Sequence, residues 1–215
     1  MRLFLLSLSV LLLHACGSVS IPATKLYSLL PTVPGASSRM LPQVLRIGRF
    51  AVSPHLESDR LLVRVGRNSL ESFEYHLWAA PLGEVLAGAV HAALLRSGIF
   101  ADVVANDAAL EADWVMDGQV LAFELIEDEQ GCGVWFQMVL SLRDAKTGQL
   151  LERNMAEKRV ECSTQEPALA VAALEAALGS SLQEFVGFVE DKYGRRIWPP
   201  RNGNTEPRAV TAPSK

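Results

Sequence analysis

The chain has 215 residues, of which 49% are hydrophobic and 20% charged, and its formal net charge is −4. This length suits one domain with a full hydrophobic core. Acidic and basic residues are interspersed, and no basic patch with interleaved aromatic residues occurs, so the sequence does not support nucleic-acid binding.

The N terminus has the pattern of an export signal that ends in a cysteine. A positively charged start precedes an apolar run from Leu3 to Leu13. This run suits the core of a signal peptide and is shorter than the about 20 apolar residues that cross a bilayer. The small residue Ala15 then precedes Cys16, as in a bacterial lipobox. We therefore expect a lipoprotein signal peptide over residues 1–15.

Lipidation would place a diacylglycerol group on the thiol of Cys16 and an acyl chain on its new amine, and we expect no other cofactor. Several acyl chains anchor more firmly than one, because each buried CH₂ contributes about 0.8 kcal/mol. Gly17 stands where an Asp usually marks retention in the inner membrane, which favours the outer membrane. The alternative is an ordinary signal peptide cleaved after Ser20.

Turn-forming proline, glycine and serine residues fill the segment 16–43, which predicts a linker between the membrane and the domain. Within it, the run Leu26–Leu30 is apolar enough to add one short strand to a sheet. At the other end, residues 193–215 are polar and proline-rich, and we expect them to be disordered.

The region 44–192 alternates strand-like and helical patterns. Alternation and apolar runs predict strands over Gln43–Val52, Arg60–Gly66, Leu70–Trp78, Ala101–Ala105, Asp113–Glu127, Gly133–Arg143 and Leu150–Cys162. The run Asp113–Glu127 is apolar on both faces at its centre, which predicts a position in the middle of the sheet. Apolar residues at helical spacing, each run opened by a proline, predict helices over 81–97 and 167–191.

These elements predict an α+β fold, with a mixed, mostly antiparallel sheet and two main helices on one face. After the signal peptide, no segment is expected to span a membrane.

The sequence offers no set of residues for catalysis or metal binding. No histidine lies at metal-ligand spacing from another ligand, and Gly-x-Ser-x-Gly is absent. The acidic run Glu124–Glu129 is interpreted as the solvated end of a hairpin. We therefore expect a protein that is not an enzyme.

The strand that leads into the first predicted helix carries candidate partner-binding residues. They are Phe73, Tyr75, Trp78, Pro81 and Leu82. Tyrosine and tryptophan are enriched in protein interfaces, although the same side chains at a strand end also serve as core residues.

Cys132 and Cys162 remain once Cys16 carries the anchor, an even pair in an oxidising compartment. A three-residue turn at Lys146–Gly148 places them directly opposite each other on antiparallel strands, within disulfide range. A four-residue turn would instead set Cys132 against Glu161 and turn the two thiols to opposite faces. We expect the first turn and a disulfide.

Several segments together resemble the ABC-type transport auxiliary lipoprotein family, also called PqiC-like. They are the Tyr-x-Leu run at Tyr27–Leu29, the strands Leu45–Val52 and Leu61–Leu70, and the Tyr-x-x-Trp-Ala-x-Pro-Leu helix start within Glu74–Leu82. The resemblance covers about residues 13–190, with Ala80 departing from the acid that is common before the proline.

The resemblance implies a role beside MCE-domain proteins, which carry lipids between the membranes of the Gram-negative envelope. The chain would be an outer-membrane lipoprotein on the periplasmic face that docks such a periplasmic partner. A homo-oligomer is left open. Two other functions also stay open: a carrier that binds lipid between sheet and helices, and a general envelope-assembly lipoprotein.

Overall fold

The computed structural model describes residues 22–33, 39–129, 131–162 and 166–196. The signal peptide, Cys16 and the tail from residue 197 lie outside these residues. The strands are β1 (Lys25–Tyr27), β2 (Arg39–Val52), β3 (Arg60–Val65), β4 (Ser69–Trp78), β5 (Phe100–Val104), β6 (Trp114–Asp128), β7 (Gly131–Asp144), β8 (Leu150–Cys162) and β9 (Arg195–Arg196). The helices are α1 (Leu82–Ser97) and α2 (Pro167–Tyr193), and a 3-10 turn spans Pro54–Leu56.

The predicted fold class is confirmed: a mixed, largely antiparallel sheet carries two helices on one face. The long strand β6 is its centre. Its whole length pairs antiparallel with β7, which in turn pairs with β8. Its other edge is shared end to end by β2 and β3, both parallel to β6. The sheet forks there, because β5 continues from β2 whereas β4 and then β1 continue from β3.

The fork is produced by a short break between β2 and β3. Pro54 cannot donate a hydrogen bond to a sheet ladder and starts the 3-10 turn instead. Just before it, the Ser53 amide donates to the carbonyl of Val120 (2.9 Å), and just after β3 the Gly66 amide donates to the carbonyl of Glu127 (2.7 Å). Leu56 fills the gap and is buried. The chain thus leaves β6 and rejoins the same edge further along.

The helices cover one face of the sheet, α1 over β2 and β5 and α2 mainly over β7 and β8. Large side chains fill the space between them; the fully buried ones include Phe123, Phe136, Phe185, Leu86, Leu94, Met116 and Met138. Close packing depends on Gly118, where an added Cβ would collide with the ring of Phe50, and on Gly83, where it would collide with the Phe50 carbonyl.

The helix α2 corrects the expectation that no segment after the signal peptide approaches a transmembrane span in length and composition. By length and composition it is apolar enough to span a membrane, with a mean hydropathy of 1.3 over its most apolar window. However, 56% of that window is buried within the fold. Packing against the sheet therefore accounts for its apolar character.

The N-terminal strap, residues 25–33, is built into the domain. β1 pairs in parallel with β4 and is the outermost strand on that side of the sheet. After it, Leu29 and Val33 are buried, the Arg96 side chain of α1 donates to the carbonyl of Pro31 (3.1 Å), and the Leu30 amide donates to the Glu175 carboxylate of α2 (2.7 Å). The described part of the predicted linker thus lies across both helices.

The β7–β8 turn differs from the predicted one. Four residues, not three, lie between Asp144 and Gln149. The Asp144 amide donates a hydrogen bond to the Gln149 carbonyl (2.9 Å). One carboxylate oxygen of Asp144 accepts hydrogen bonds from the amides of Lys146 and Thr147, and Gly148 takes the left-handed conformation at φ 71°. The Asp144 side chain therefore replaces the backbone partners that the turn lacks.

Even so, the two strands pair in the predicted register, with Cys132 directly opposite Cys162. Leu142 pairs with Glu152 but Arg143 pairs with Leu150, so Leu151 is an extra residue on β8. This β-bulge offsets the fourth turn residue and restores the register beyond it. Both cysteines are free thiols in the structure.

Two glycine substitutions test the packing of Phe50 on the sheet. Gly118→Ala should destabilise the domain by about 1–3 kcal/mol, because the buried ring must move. Gly88→Ala, at an exposed position inside α1 with open space around it, should instead stabilise by up to about 1 kcal/mol. Urea unfolding of both variants measures the two changes. Equal effects of the two substitutions would contradict this packing.

Candidate interaction site

The five candidate partner-binding residues lie where β4 leads into α1, and the structure gives them different surroundings. Trp78 is only 4% exposed, and its ring packs on that of Phe123 with centroids 5.5 Å apart. Leu82 is also buried, whereas Pro81 is exposed. Truncation of Trp78 would therefore act first on stability, since removal of a buried large aromatic typically costs about 3–5 kcal/mol.

Phe73 and Tyr75 are half-buried near the middle of β4, where the strand is irregular. The pairing of β3 with β4 shifts by three residues between Ser72 and Leu77. Simple alternation places His76 on the polar face, but the shift brings its ring to 5.6 Å from that of Phe73.

The same histidine holds β1 in place. The Tyr27 ring stacks on His76 at 5.8 Å between centroids, and its hydroxyl lies 2.8 Å from the histidine Nδ1. The amide of Ala79 then donates to the carbonyl of Tyr27 (2.8 Å). The aromatic residues of β4 thus attach the N-terminal strap to the sheet, a role that their sequence spacing did not indicate.

An open groove of about 580 Å³ lies beside this corner, between the end of β2 and the start of α1. Pro81 and Leu82 line it, so it brings together two of the five predicted residues. The other lining residues are Gly48, Arg49, Phe50, Ala51, Val52, Glu57, Gly83, Glu84, Ala87 and Asn106.

A free strand edge forms one wall of this groove. β5 pairs with β2 only as far as Arg46, so among the described residues no strand pairs with Gly48–Val52 on that edge. An unpaired edge offers backbone N–H and C=O groups in a row. Here the start of α1 covers one of them, because Gly83 lies against the Phe50 carbonyl. The polar lining residues carry both signs of charge, Arg49 against Glu57 and Glu84. Such a groove suits an extended peptide segment better than a phosphate group.

The helix-free face of the sheet holds a buried charge that the sequence analysis assigned to solvent. Glu124 is fully buried on β6, so the expectation that it lies at a solvated hairpin end is wrong. Its carboxylate accepts a hydrogen bond from Arg64 Nε at 2.5 Å and lies 3.5 Å from His55 Nε2. The hairpin starts only beyond Asp128, so this position is still well inside the strand.

Trp135 covers this pair from the neighbouring strand. The guanidinium groups of Arg64 and Arg159 lie 5.4 Å and 4.9 Å from its ring centroid. Both distances are in the range of cation–π contacts. No cluster of three His, Cys, Asp or Glu residues that could hold a metal ion occurs within the described ranges. Glu124 and Arg64 form an ion pair under the ring of Trp135.

The fold agrees with comparisons to known proteins. The family model described as an ABC-type transport auxiliary lipoprotein component matches residues 27–185, from the end of β1 into α2. A comparison with curated proteins gives no significant match.

Solved structures share the fold at low identity. Protein XCC0632 from Xanthomonas campestris is 20% identical with a TM-score of 0.66, over 77% of this chain and 94% of that one. A structure described as an uncharacterized protein is 16% identical with a TM-score of 0.61, over 78% and 99%. PelC of Paraburkholderia phytofirmans, a dodecamer, reaches only 0.45 at 14% identity, over 69% and 93%. At that score its assembly says nothing about this chain.

Proposed function

Since the chain belongs to the family of ABC-type transport auxiliary lipoprotein components, we propose that it docks an MCE-type lipid transport system at the outer membrane. Acyl chains on Cys16 hold one end of the protein in the periplasmic face of that membrane, and the folded domain binds the periplasmic MCE-domain partner. The family match over residues 27–185 carries this proposal.

The groove between β2 and α1 supports a docking role. It combines an unpaired strand edge with apolar residues and a few charges of both signs, and it is already formed in the unbound chain. An extended segment of the partner can pair its backbone with the part of Gly48–Val52 that Gly83 leaves open and place side chains against Pro81 and Leu82. The groove thus supplies both affinity through the backbone and selectivity through side chains.

The packing of the domain favours docking over carriage of a lipid inside it. A carrier needs a cavity between the sheet and the helices, large enough for acyl chains. Here the described residues in that space pack into one continuous hydrophobic core, with Met138, Leu174 and Phe185 almost completely buried. A lipid could enter only if the two layers separated.

The opposed cysteines agree with a location in the periplasm. Cys132 and Cys162 face each other at the open end of the hairpin, and we propose that they form a disulfide there. Burial raises the pKa of the Cys162 thiol, and the nearby Cys132 raises it to a lesser extent. In the reduced protein this thiol should therefore react slowly at neutral pH, because the thiolate is the nucleophile.

Replacing the anchoring cysteine tests the membrane attachment. Cys16→Ala should move the protein from the membrane fraction to the periplasm, since the proposed anchor is a lipid on that thiol. Membrane fractionation after radiolabelled palmitate feeding measures both location and label. A parent protein without label, or an alanine variant that still pellets with outer membranes, would refute the lipoprotein assignment.

A second substitution tests the groove. Ala87→Arg places a long side chain into it from the α1 wall, so it should weaken binding of the purified MCE-domain partner by tenfold or more, about 1.4 kcal/mol. Ala101→Arg, at an exposed alanine on β5 outside the groove, is the control. Thermal unfolding should show both variants folded. Unchanged affinity in the folded Ala87→Arg variant would exclude the groove.

The thiol pair has a direct chemical test. In protein recovered from the periplasm, non-reduced peptide mapping should give one species that links Cys132 to Cys162, across 30 residues of sequence. On the chain-entropy model its reduction should cost about 3–4 kcal/mol of stability. Two alkylatable thiols in protein isolated under non-reducing conditions would rule out the disulfide.

A further inference from the structure

Among the described strands, β8 has the longest open edge of the sheet. It spans Leu150–Cys162 and pairs with β7 alone, whereas the other terminal strands, β1 and β5, have only three and five residues. Proline and β-bulges commonly protect an open edge from pairing with another strand. β8 contains no proline, and its bulge at Leu151 lies near one end. The rest of its backbone is therefore available to a further strand.

Met155 forms an apolar centre on this edge. It is 56% exposed and lies opposite Val139 of β7, which is buried. Its side chain is on the helix-free face, because it is two residues from Glu157, which accepts a hydrogen bond from Trp135 on that face (3.2 Å). Arg153 and Glu157 flank Met155 at equal distances along the strand and share its face.

The two flanking charges are opposite in sign and unpaired. No ion pair in the described segments includes Arg153 or Glu157. The hydrogen bonds that Glu157 accepts come from neutral groups, those of Trp135 and Gln137 (3.2 and 3.3 Å). A strand with a positive charge on one side of its centre and a negative charge on the other is complementary to its own copy turned by 180°.

A second copy of β8 therefore fits this edge in an antiparallel register centred on Met155. With the two methionines opposite each other, Arg153 meets Glu157 twice, once on each side of the twofold axis. On the helix face, the same register sets Glu152 against Lys158. Both of these side chains also bond to α2 within their own chain, so the pairing completes a row of alternating charges.

Other registers lose this match. A slip of one residue moves side chains to the other face, so the strands can slide only in steps of two residues. One step sets Arg153 against Arg159 or against Met155. Two steps set Arg153 or Glu157 against itself. Since like charges directly opposite each other destabilise a strand pair, the register centred on Met155 is favoured.

The same axis brings a second exposed apolar side chain to the interface. Phe188 of α2 is 52% exposed. One turn to either side of it lie Glu184 and Lys192. Glu184 accepts from Lys158 (2.8 Å), and Lys192 donates to Glu152. These two contacts place Phe188 halfway between the same two strand residues that are centred on Met155.

The spacing suits contact between the two copies of α2. The helix packs over both β7 and β8. Since neighbouring strands lie about 4.8 Å apart, the two α2 axes of a pair joined through β8 come to lie about 10 Å apart. Packed helices are separated by about 8–10 Å. The two Phe188 side chains then meet at the axis above the joined strands.

We propose that the protein forms a symmetric dimer in which two β8 strands pair antiparallel and join the sheets of two copies into one. Met155 lies at the twofold axis on one face of this sheet and Phe188 on the other. β6 and β7 separate β8 from β2, so the groove beside β2 stays open in both copies. The dimer thus presents two grooves to a partner. It requires neither the lipid anchor nor the proposed docking role.

Cysteine substitutions test the register in purified full-length protein in detergent, oxidised with copper phenanthroline. Met155→Cys should give a disulfide-linked dimer, because directly opposite residues lie about 5.5 Å apart between Cα atoms. Arg153→Cys or Glu157→Cys alone should give little dimer, since the two thiols lie about 13 Å apart along the strands. A mixture of these two variants should cross-link. The parent protein is the control for Cys132 and Cys162.

A charge exchange tests the pairing without added thiols. Arg153→Glu and Glu157→Arg should each weaken self-association at least tenfold in sedimentation experiments, because like charges then meet twice. Mixed one to one, the two variants should recover the affinity of the parent, since opposite charges meet at both sites again. Arg67→Glu, at an exposed arginine between β3 and β4, is the matched control.

These results separate the dimer from other occupants of the edge. A parent protein that stays monomeric, with no cross-link through position 155, would overturn the proposal. Self-association that the single charge variants leave intact would place the contact elsewhere on the surface and overturn it as well. Cross-linking through position 153 alone, or failure of the mixed variants to associate, would refute the register and the symmetric interface with it.

Discussion

The division of one strand edge between two partners organises this domain. β6 carries β7 along one side and, on the other, first β2 and then β3. Each strand of the fork then starts its own branch. One branch ends in β5 under α1, and the other carries β4, β1 and the N-terminal strap. If β2 continued as one strand along β6, β3 would have no edge of β6 to pair with, and the branch that carries β4 and the strap would not form.

The elements themselves could be predicted well from the sequence, and their relative placement only in part. Alternation along β4 and the doubly apolar run of β6 are local patterns, and both strands appear where those patterns lie. The shift of three residues within β4 is not visible in such a pattern, because alternation assumes an unbroken ladder. His76 is therefore found among aromatic rings rather than in water.

The groove shows a similar limit. The motif around Pro81 was recognisable, because a proline after an aromatic strand marks the start of a helix. The opposite wall comes from β2 and the 3-10 turn, about 30 residues earlier in the chain, and the far end from Asn106. Only the assembled sheet brings these pieces together. The sequence did not indicate the burial of Glu124 either, since Asp128 and Glu129 of the same acidic run are exposed and its partner, Arg64, lies on another strand.

The β7–β8 hairpin has the predicted register but not the predicted turn. The fourth turn residue and the extra Leu151 cancel each other, so beyond Leu142 the two strands pair as if neither were present. The bulge thereby compensates for the length of the turn. A related chain that is one residue shorter at this turn can give up the bulge and still keep its two cysteines face to face. The exposed tip of the hairpin is then free to vary over evolution, while the geometry of the thiols at its other end is inherited unchanged.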